Sequence, residues 1–208
     1  MSGQAGIGLT GDIRAAFDIP RDICYLNASY MTPQPRRVLE AAKRGATRRS
    51  QPWKLKPVDF FTEVEALRAL FARMVGCSPD NIAIVPSAGY GVACAASNTG
   101  LKPSDIVLGF RDQFPCNYYS WRSKANACGA ELYLCDTKPG QRWADALLES
   151  IDRLGDRIAV ASLEAHHWAT AESLELERVI PALRDVGARV VLDLTQTIGA
   201  CPVRIDEL

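Results

Sequence analysis

The run Arg189-Val190-Val191-Leu192 ends in Asp193. A carboxylate closing an apolar strand is costly to bury unless a cation or a metal faces it, so Asp193 is the strongest single pointer to chemistry in the chain. Gln196 follows within Asp193-Leu194-Thr195-Gln196-Thr197-Ile198-Gly199-Ala200. A second segment, Pro86-Ser87-Ala88-Gly89-Tyr90-Gly91, places small residues at the opening of a helix. Unpaired backbone N–H groups and the positive end of the helix dipole converge at such a junction. It suits a phosphate, or it is an ordinary tight turn. In a third segment, Phe114-Pro115-Cys116-Asn117-Tyr118-Tyr119-Ser120-Trp121, four aromatics fall within eight residues; they supply a ring to stack on a planar ligand or form a hydrophobic cluster. The fourth, Glu164-Ala165-His166-His167-Trp168-Ala169-Thr170, carries the chain's two histidines. No carboxylate or thiol stands at helical metal-ligand spacing beside them, so no metal site is expected.

These segments follow a repeating alternation of elements. Apolar runs over 81–85, 106–109, 131–135, 157–163 and 189–194 read as strands. Helical stretches over 91–97, 118–127, 143–154 and 173–186 divide them. Strands without polar alternation, joined by crossover helices, describe an α/β fold with a mainly parallel sheet covered on both faces, a three-layer sandwich. Ligands in such sheets bind where loops leave the carboxyl ends of the strands, which is where all four segments lie. Upstream, the glycine-rich first twenty residues read as a loose arm, 35–49 as a surface helix, and 60–75 as an amphipathic helix stopped by Gly76. The domain reading is an arm and helix over 1–55 and a partial large domain over 56–208.

Length and composition bound the answer. The 208 residues suit one substantial domain. A 48% hydrophobic and 23% charged composition excludes a disordered or fibrous chain. Twenty-four Lys+Arg balance 24 Asp+Glu, leaving no basic patch for nucleic acid or an anionic membrane surface, so a small molecule is the expected partner. No run of roughly 20 apolar residues can span a bilayer, and the start lacks a basic and then apolar leader, so the expected location is cytoplasmic. Seven scattered cysteines with no C-x-x-C argue against a disulfide framework and against a zinc site. Cys116 alone stands among candidate site residues, as a nucleophile or as a packed thiol.

Taken together and in this order, the four segments resemble the class V aminotransferase family of fold-type I pyridoxal 5'-phosphate (PLP) enzymes, the group with cysteine desulfurases, kynureninases and isopenicillin-N-epimerase-like proteins. Tyr25-Leu26-Asn27-Ala28-Ser29 is similar to that family's Y-L-N-x-A-[AS] segment, and Asp193-x-x-Gln196 with Gly199 and Pro202 to its D-x-x-Q-x-x-G-x-x-P. The resemblance implies a PLP-dependent transferase-like large domain and PLP as cofactor. It implies that Asp193 pairs with the protonated pyridine nitrogen and that Gln196 bonds the ring's phenolic oxygen. Phe114 would stack on the ring; desulfurases have His there, whereas kynureninase-like proteins show a similar Phe-Pro. Ala88, Gly89 and Tyr90 would hold the phosphate, with Trp168 or His167 over the edge of the ring. Asn27, Ala28 and Ser29 would face a small amino-acid substrate, and a homodimer is the family's usual assembly.

One departure stands out. The family's Schiff-base lysine follows D-x-x-Q by about two dozen residues, whereas 12 residues follow Gln196 here and all six lysines, Lys43, Lys54, Lys56, Lys102, Lys124 and Lys138, lie upstream. The sequence therefore leads to two expectations: the front part of a PLP-dependent enzyme of epimerase, lyase, desulfurase or transaminase chemistry on an amino acid, truncated before its lysine and inactive alone, or a non-catalytic remnant that binds a phosphate ligand or an intact homologous subunit. A plain nucleotide-binding Rossmann protein is set aside, because no glycine fingerprint follows the first strand.

Overall fold

Four fully parallel strands form the sheet in this computed structural model, which describes residues 13–208. Their spatial order is β2-β1-β3-β4, with β1 Ile106–Phe110, β2 Glu131–Cys135, β3 Ile158–Glu164 and β4 Arg189–Asp193. Every residue of β1 is buried, as expected of a central strand covered on both faces. Ile106, Leu108 and Phe110 point to one face, where α5 (Trp143–Leu154) and α6 (Leu176–Asp185) supply Leu147, Ile151, Val179 and Leu183. Val107 and Val160 point to the other, against Val92 and Ala96 of α3 (Ala88–Asn98) and Trp121 and Ala125 of α4 (Pro115–Cys128). The three layers follow from this division, each fully buried large side chain contributing about 1.5–3 kcal/mol.

Chain order and spatial order together place the site. β1 leads through α4 to β2 on one side, and the chain then crosses to β3 on the other side of β1. The gap between β1 and β3 is thus the topological switch point, where loops leave in opposite directions and open a crevice. Glu164 and Asp193 are register partners at the carboxyl ends of β3 and β4.

The chain divides into two compact units, Met1–Glu63 and Val64–Leu208. In the first, described from residue 13, α1 (Arg36–Arg48) ends in Arg48, whose guanidinium donates to Glu63 Oε1 at 2.5 Å. None of its described residues is buried. In the second, the end of α2 (Asp59–Val75) buries Ala72 and Val75, and Arg68 donates to the carbonyls of Pro79 and Ile82. Gly76 closes α2 at φ +73°, a left-handed turn as its position suggested; a Cβ there would lie 2.4 Å from the Asp206 carboxylate.

The expected strand over 81–85 is not one. Ile82 is extended (φ −104°, ψ 123°), but the segment pairs with no strand among the described residues, and Ile84 and Val85 are largely exposed. Apolar β-branched residues extend the chain, yet without a neighbouring ladder they make no sheet. Helix starts also differ: α3 begins three residues before expectation because Ser87 Oγ accepts the Tyr90 N–H, and α4 begins at Pro115, the proline serving as its first residue. No helix among the described residues is long and apolar enough to cross a membrane.

Candidate functional site

The loop leaving β1 turns through Asp112 in the left-handed region (φ 59°), which an aspartate tolerates better than most residues. Phe114 then caps α4, and its N–H donates to Glu164 Oε1 at 2.5 Å. The other Glu164 oxygen accepts the Trp168 N–H at 3.1 Å. One turn into α4, Asn117 Nδ2 lies 3.5 Å from Glu164 Oε1 and donates to Asp193 Oδ2 at 3.2 Å. The ends of β3 and β4 and the start of α4 are thereby tied through one buried amide. Glu164 and Asn117 are fully buried and Asp193 is 8% exposed.

Asp193 gathers its remaining donors locally, from the N–H of Thr195 at 3.0 Å and its hydroxyl at 2.6 Å. All its donors are neutral, and no cation pairs with it among the described residues. The expected cost of burying this carboxylate is therefore unmet within the chain. Burial pushes the Glu164 carboxyl above the usual carboxylate range; the Phe114 and Trp168 N–H groups oppose that and the nearby Asp193 adds to it.

A cavity of about 260 Å³ opens beside this network, lined by Ser87, Ala88, Gly89, Phe114, Cys116, Asp193, Thr195 and Gln196. Three of the four segments picked from the sequence meet here. Ser87 caps α3, and the Ala88 and Gly89 N–H groups, in the helix's first turn, have no partner within it. Those donors and the Asp193 carboxylate line one cavity: the first suit an anionic group and the second a cationic one. Burial and the neighbouring Asp193 raise the Cys116 thiol above its ordinary range, so it stands in the wall as a protonated thiol rather than a nucleophilic thiolate.

Other candidates fall elsewhere. Tyr90 does not line the cavity: its side chain is largely exposed and its N–H is taken by Ser87. Trp168 stands one layer back, packed edge-on against Phe114 with centroids 5.7 Å apart and its indole N–H on the Asp112 carbonyl. His167 turns away into the core, stacked on Trp143 at 5.8 Å and 8°, its Nδ1 accepting the N–H groups of Ala169 and Thr170. Burial lowers its basicity. His166 Nδ1 meets Thr197 Oγ1 at 3.0 Å, linking the loops after β3 and β4. Asn27, Ala28 and Ser29 form an exposed turn in the first unit, where Asn27 O accepts the Met31 N–H. No group of three or more His, Cys, Asp or Glu side chains among the described residues could hold a metal ion.

Glu164 and Asn117 were not selected from the sequence. The signal for Glu164 was available, because it closes the apolar run Ile158–Glu164 just as Asp193 closes its own. Asn117 carried none; only the fold shows it between two carboxylates.

Comparison with known proteins bears on the family and the fold. The family described as Aminotransferase class-V matches residues 24–208. A kynureninase from Deinococcus radiodurans is 25% identical over 207 residues, covering 91% of this chain and 46% of that protein. Among solved structures, a variant of C-DES with glycine covalently linked to the PLP cofactor superposes at TM-score 0.82, with 19% identity over 95% of this chain and 53% of that one. The apo cysteine desulfurase of Thermococcus onnurineus NA1 superposes at 0.82, with 17% identity over 99% and 52%. The chain thus spans about half the length of these relatives, and at such identities the structural likeness establishes the fold. With the profile matching nearly nine-tenths of its length, the chain belongs to the class V aminotransferase family.

Proposed function

We propose that the cavity between α3, α4 and the end of β4 holds PLP, and that the chain serves a PLP-dependent reaction on a small amino acid. The observation that carries this reading is Asp193, a buried carboxylate with only neutral donors, in the wall of a cavity that also presents unpaired helix N–H groups. These residues fit the cofactor. Asp193 would hold the proton on the ring nitrogen, the Ala88 and Gly89 N–H groups would take the phosphate, and Phe114 would keep water off one ring face. Gln196 would bond the ring's phenolic oxygen. When bound, PLP supplies an electron sink for charge developing at the substrate's Cα. Phe114-Pro115 and the likeness to a kynureninase favour the kynureninase- and epimerase-like branches over the desulfurases.

A second reading is favoured by the cavity wall itself, to which none of the six lysines contributes. On that reading the chain is a non-catalytic holder of a phosphate ligand, or the partner of an intact homologous subunit. Both readings share the pocket and differ in turnover.

Pyridoxamine 5'-phosphate tests the shared step, because it lacks an aldehyde and cannot attach to lysine. Titrated into the 208-residue protein and followed by its own fluorescence, it is expected to bind saturably at one site. No saturable binding at millimolar concentration would refute the reading. We further propose a homodimer, supported by the exposed apolar side chains of Leu67, Leu70 and Met74 on α2; light scattering that returns a monomer mass overturns it. Seven unpaired cysteines fit a reducing compartment, which supports a cytoplasmic location.

A further inference from the structure

Glu164 belongs to none of the roles above, yet the site's parts converge on it. Its Oε1 accepts the N–H of Phe114, the residue whose ring forms the cavity wall, and its Oε2 accepts the N–H of Trp168, whose indole packs edge-on against that ring. Through Asn117 it shares a donor with Asp193, its register partner on the next strand. We infer that Glu164 is the positioning residue of this site: from a rigid strand end it fixes the Phe114 wall and the Asp193 carboxylate relative to each other.

The chemistry explains why a carboxylate is used. Two backbone N–H groups approach the two oxygens of one side chain, and only a carboxyl offers an acceptor to each. A glutamine of the same shape keeps one acceptor and turns its NH2 against the other N–H, leaving a buried donor unsatisfied. A leucine offers neither. Loops that carry ligand-contacting groups are mobile unless the scaffold holds them. Here a single side chain on β3 holds both the loop after β1 and the loop after β3. In naming the positioned ligand, this inference rests on the cofactor reading above.

The test uses the full chain and two independent measurements. In the cofactor-free protein, Glu164→Gln is expected to speed amide exchange at Phe114 or Trp168 about tenfold, as loss of one buried acceptor implies, while the interior amides of β1 and β3 keep wild-type protection. Wild-type exchange at both loop amides overturns the inference. With pyridoxamine 5'-phosphate as probe, the same variant is expected to bind about tenfold more weakly and to change the circular dichroism of the bound ring, because the Phe114 wall has moved. Unchanged affinity and spectrum, in a wild-type protein that binds, also overturn it. If the wild type does not bind the probe, the cofactor reading fails, and amide exchange alone then decides the role of Glu164.

Should Glu164→Gln not fold, Asn117→Ala carries the test. It removes only the bridge, so protection at Phe114 is expected to remain while probe affinity falls about tenfold. Unchanged affinity there overturns the coupling to Asp193.

Discussion

Replacing Asp193 by asparagine separates the charge of this residue from its shape, and the structure supplies both magnitudes. In the fold, Oδ1 accepts two donors from Thr195 and Oδ2 accepts Asn117 Nδ2 at 3.2 Å. In Asp193→Asn one oxygen keeps the Thr195 contacts, and the new NH2 faces the NH2 of Asn117, two donors against each other. The Asn117 carbonyl oxygen is buried without a partner. A half-turn of that amide presents it to the new NH2, replacing the lost bond and satisfying the orphan acceptor. What is lost is the 3.5 Å approach of the Asn117 NH2 to Glu164, and that NH2 now points to the side that held the unpartnered oxygen, a buried donor without an acceptor. The net cost to stability is then about 1–3 kcal/mol, the scale of one buried donor left unsatisfied. For a cationic ring nitrogen the account differs. Two unit charges about 4 Å apart attract by roughly 4 kcal/mol at an effective dielectric of 20, and removing one member of a buried pair costs roughly 3–5 kcal/mol. Affinity for pyridoxamine 5'-phosphate should fall about 10²- to 10³-fold. Fluorescence titration and urea unfolding in one buffer measure both quantities. A drop in affinity below about threefold, with the fold intact, refutes the charge argument; a stability loss well above about 3 kcal/mol refutes the Asn117 rearrangement.

Two further outcomes follow from the same geometry. Burial lowers the basicity of His167, and its Nδ1 must stay unprotonated to accept the Ala169 and Thr170 N–H groups. A group with a depressed folded value contributes stability that is complete above its unfolded value, about 6.5, and lost as pH falls below it, at up to roughly 1.4 kcal/mol per pH unit. Between pH 7 and pH 5, urea unfolding should show the wild type losing more stability than His167→Asn, whose Oδ1 still accepts; parallel curves would remove the assignment. Cys116, held protonated by burial and by Asp193, should alkylate more slowly at neutral pH than exposed Cys24 and Cys201, and faster in Asp193→Asn than in the wild type. Peptide-resolved mass spectrometry reads each rate, and equal rates at Cys116 in the two proteins would refute the influence of Asp193.

Much of this was legible in the sequence because burial leaves a plain mark on parallel strands. Ile106-Val107-Leu108-Gly109-Phe110 has no polar position to spare, and all five residues are buried. The same criterion misled at 81–85, since an apolar extended run says nothing about whether a neighbouring strand exists. Asp193 stood out for the physical reason that matters in the fold, an acid closing an apolar run. Glu164 obeys the same rule, closing the run Ile158–Glu164. The resemblance put Trp168 or His167 over the ring's edge, but successive residues in a tight loop point to different sides, and the core takes the imidazole of His167. The resemblance put Tyr90 at the phosphate; in the fold Ser87 takes its N–H and its side chain is largely exposed. Asn117 depends on where the first turn of α4 sits above two strand ends, information that is tertiary throughout.

The register of β3 and β4 has a consequence for how this molecule tolerates change in length. Glu164 and Asp193 stand opposite each other because Val160 pairs with Arg189 and the two strands then run in step for five residues. An extra residue inside β4 would carry Asp193 one step past the strand end and turn every side chain between the insertion and Asp193 to the opposite face of the sheet. The loops around the site can lengthen at the cost of a little closure entropy. The strands cannot, so the spacing between the two acids works as a fixed ruler that insertions and deletions must leave alone.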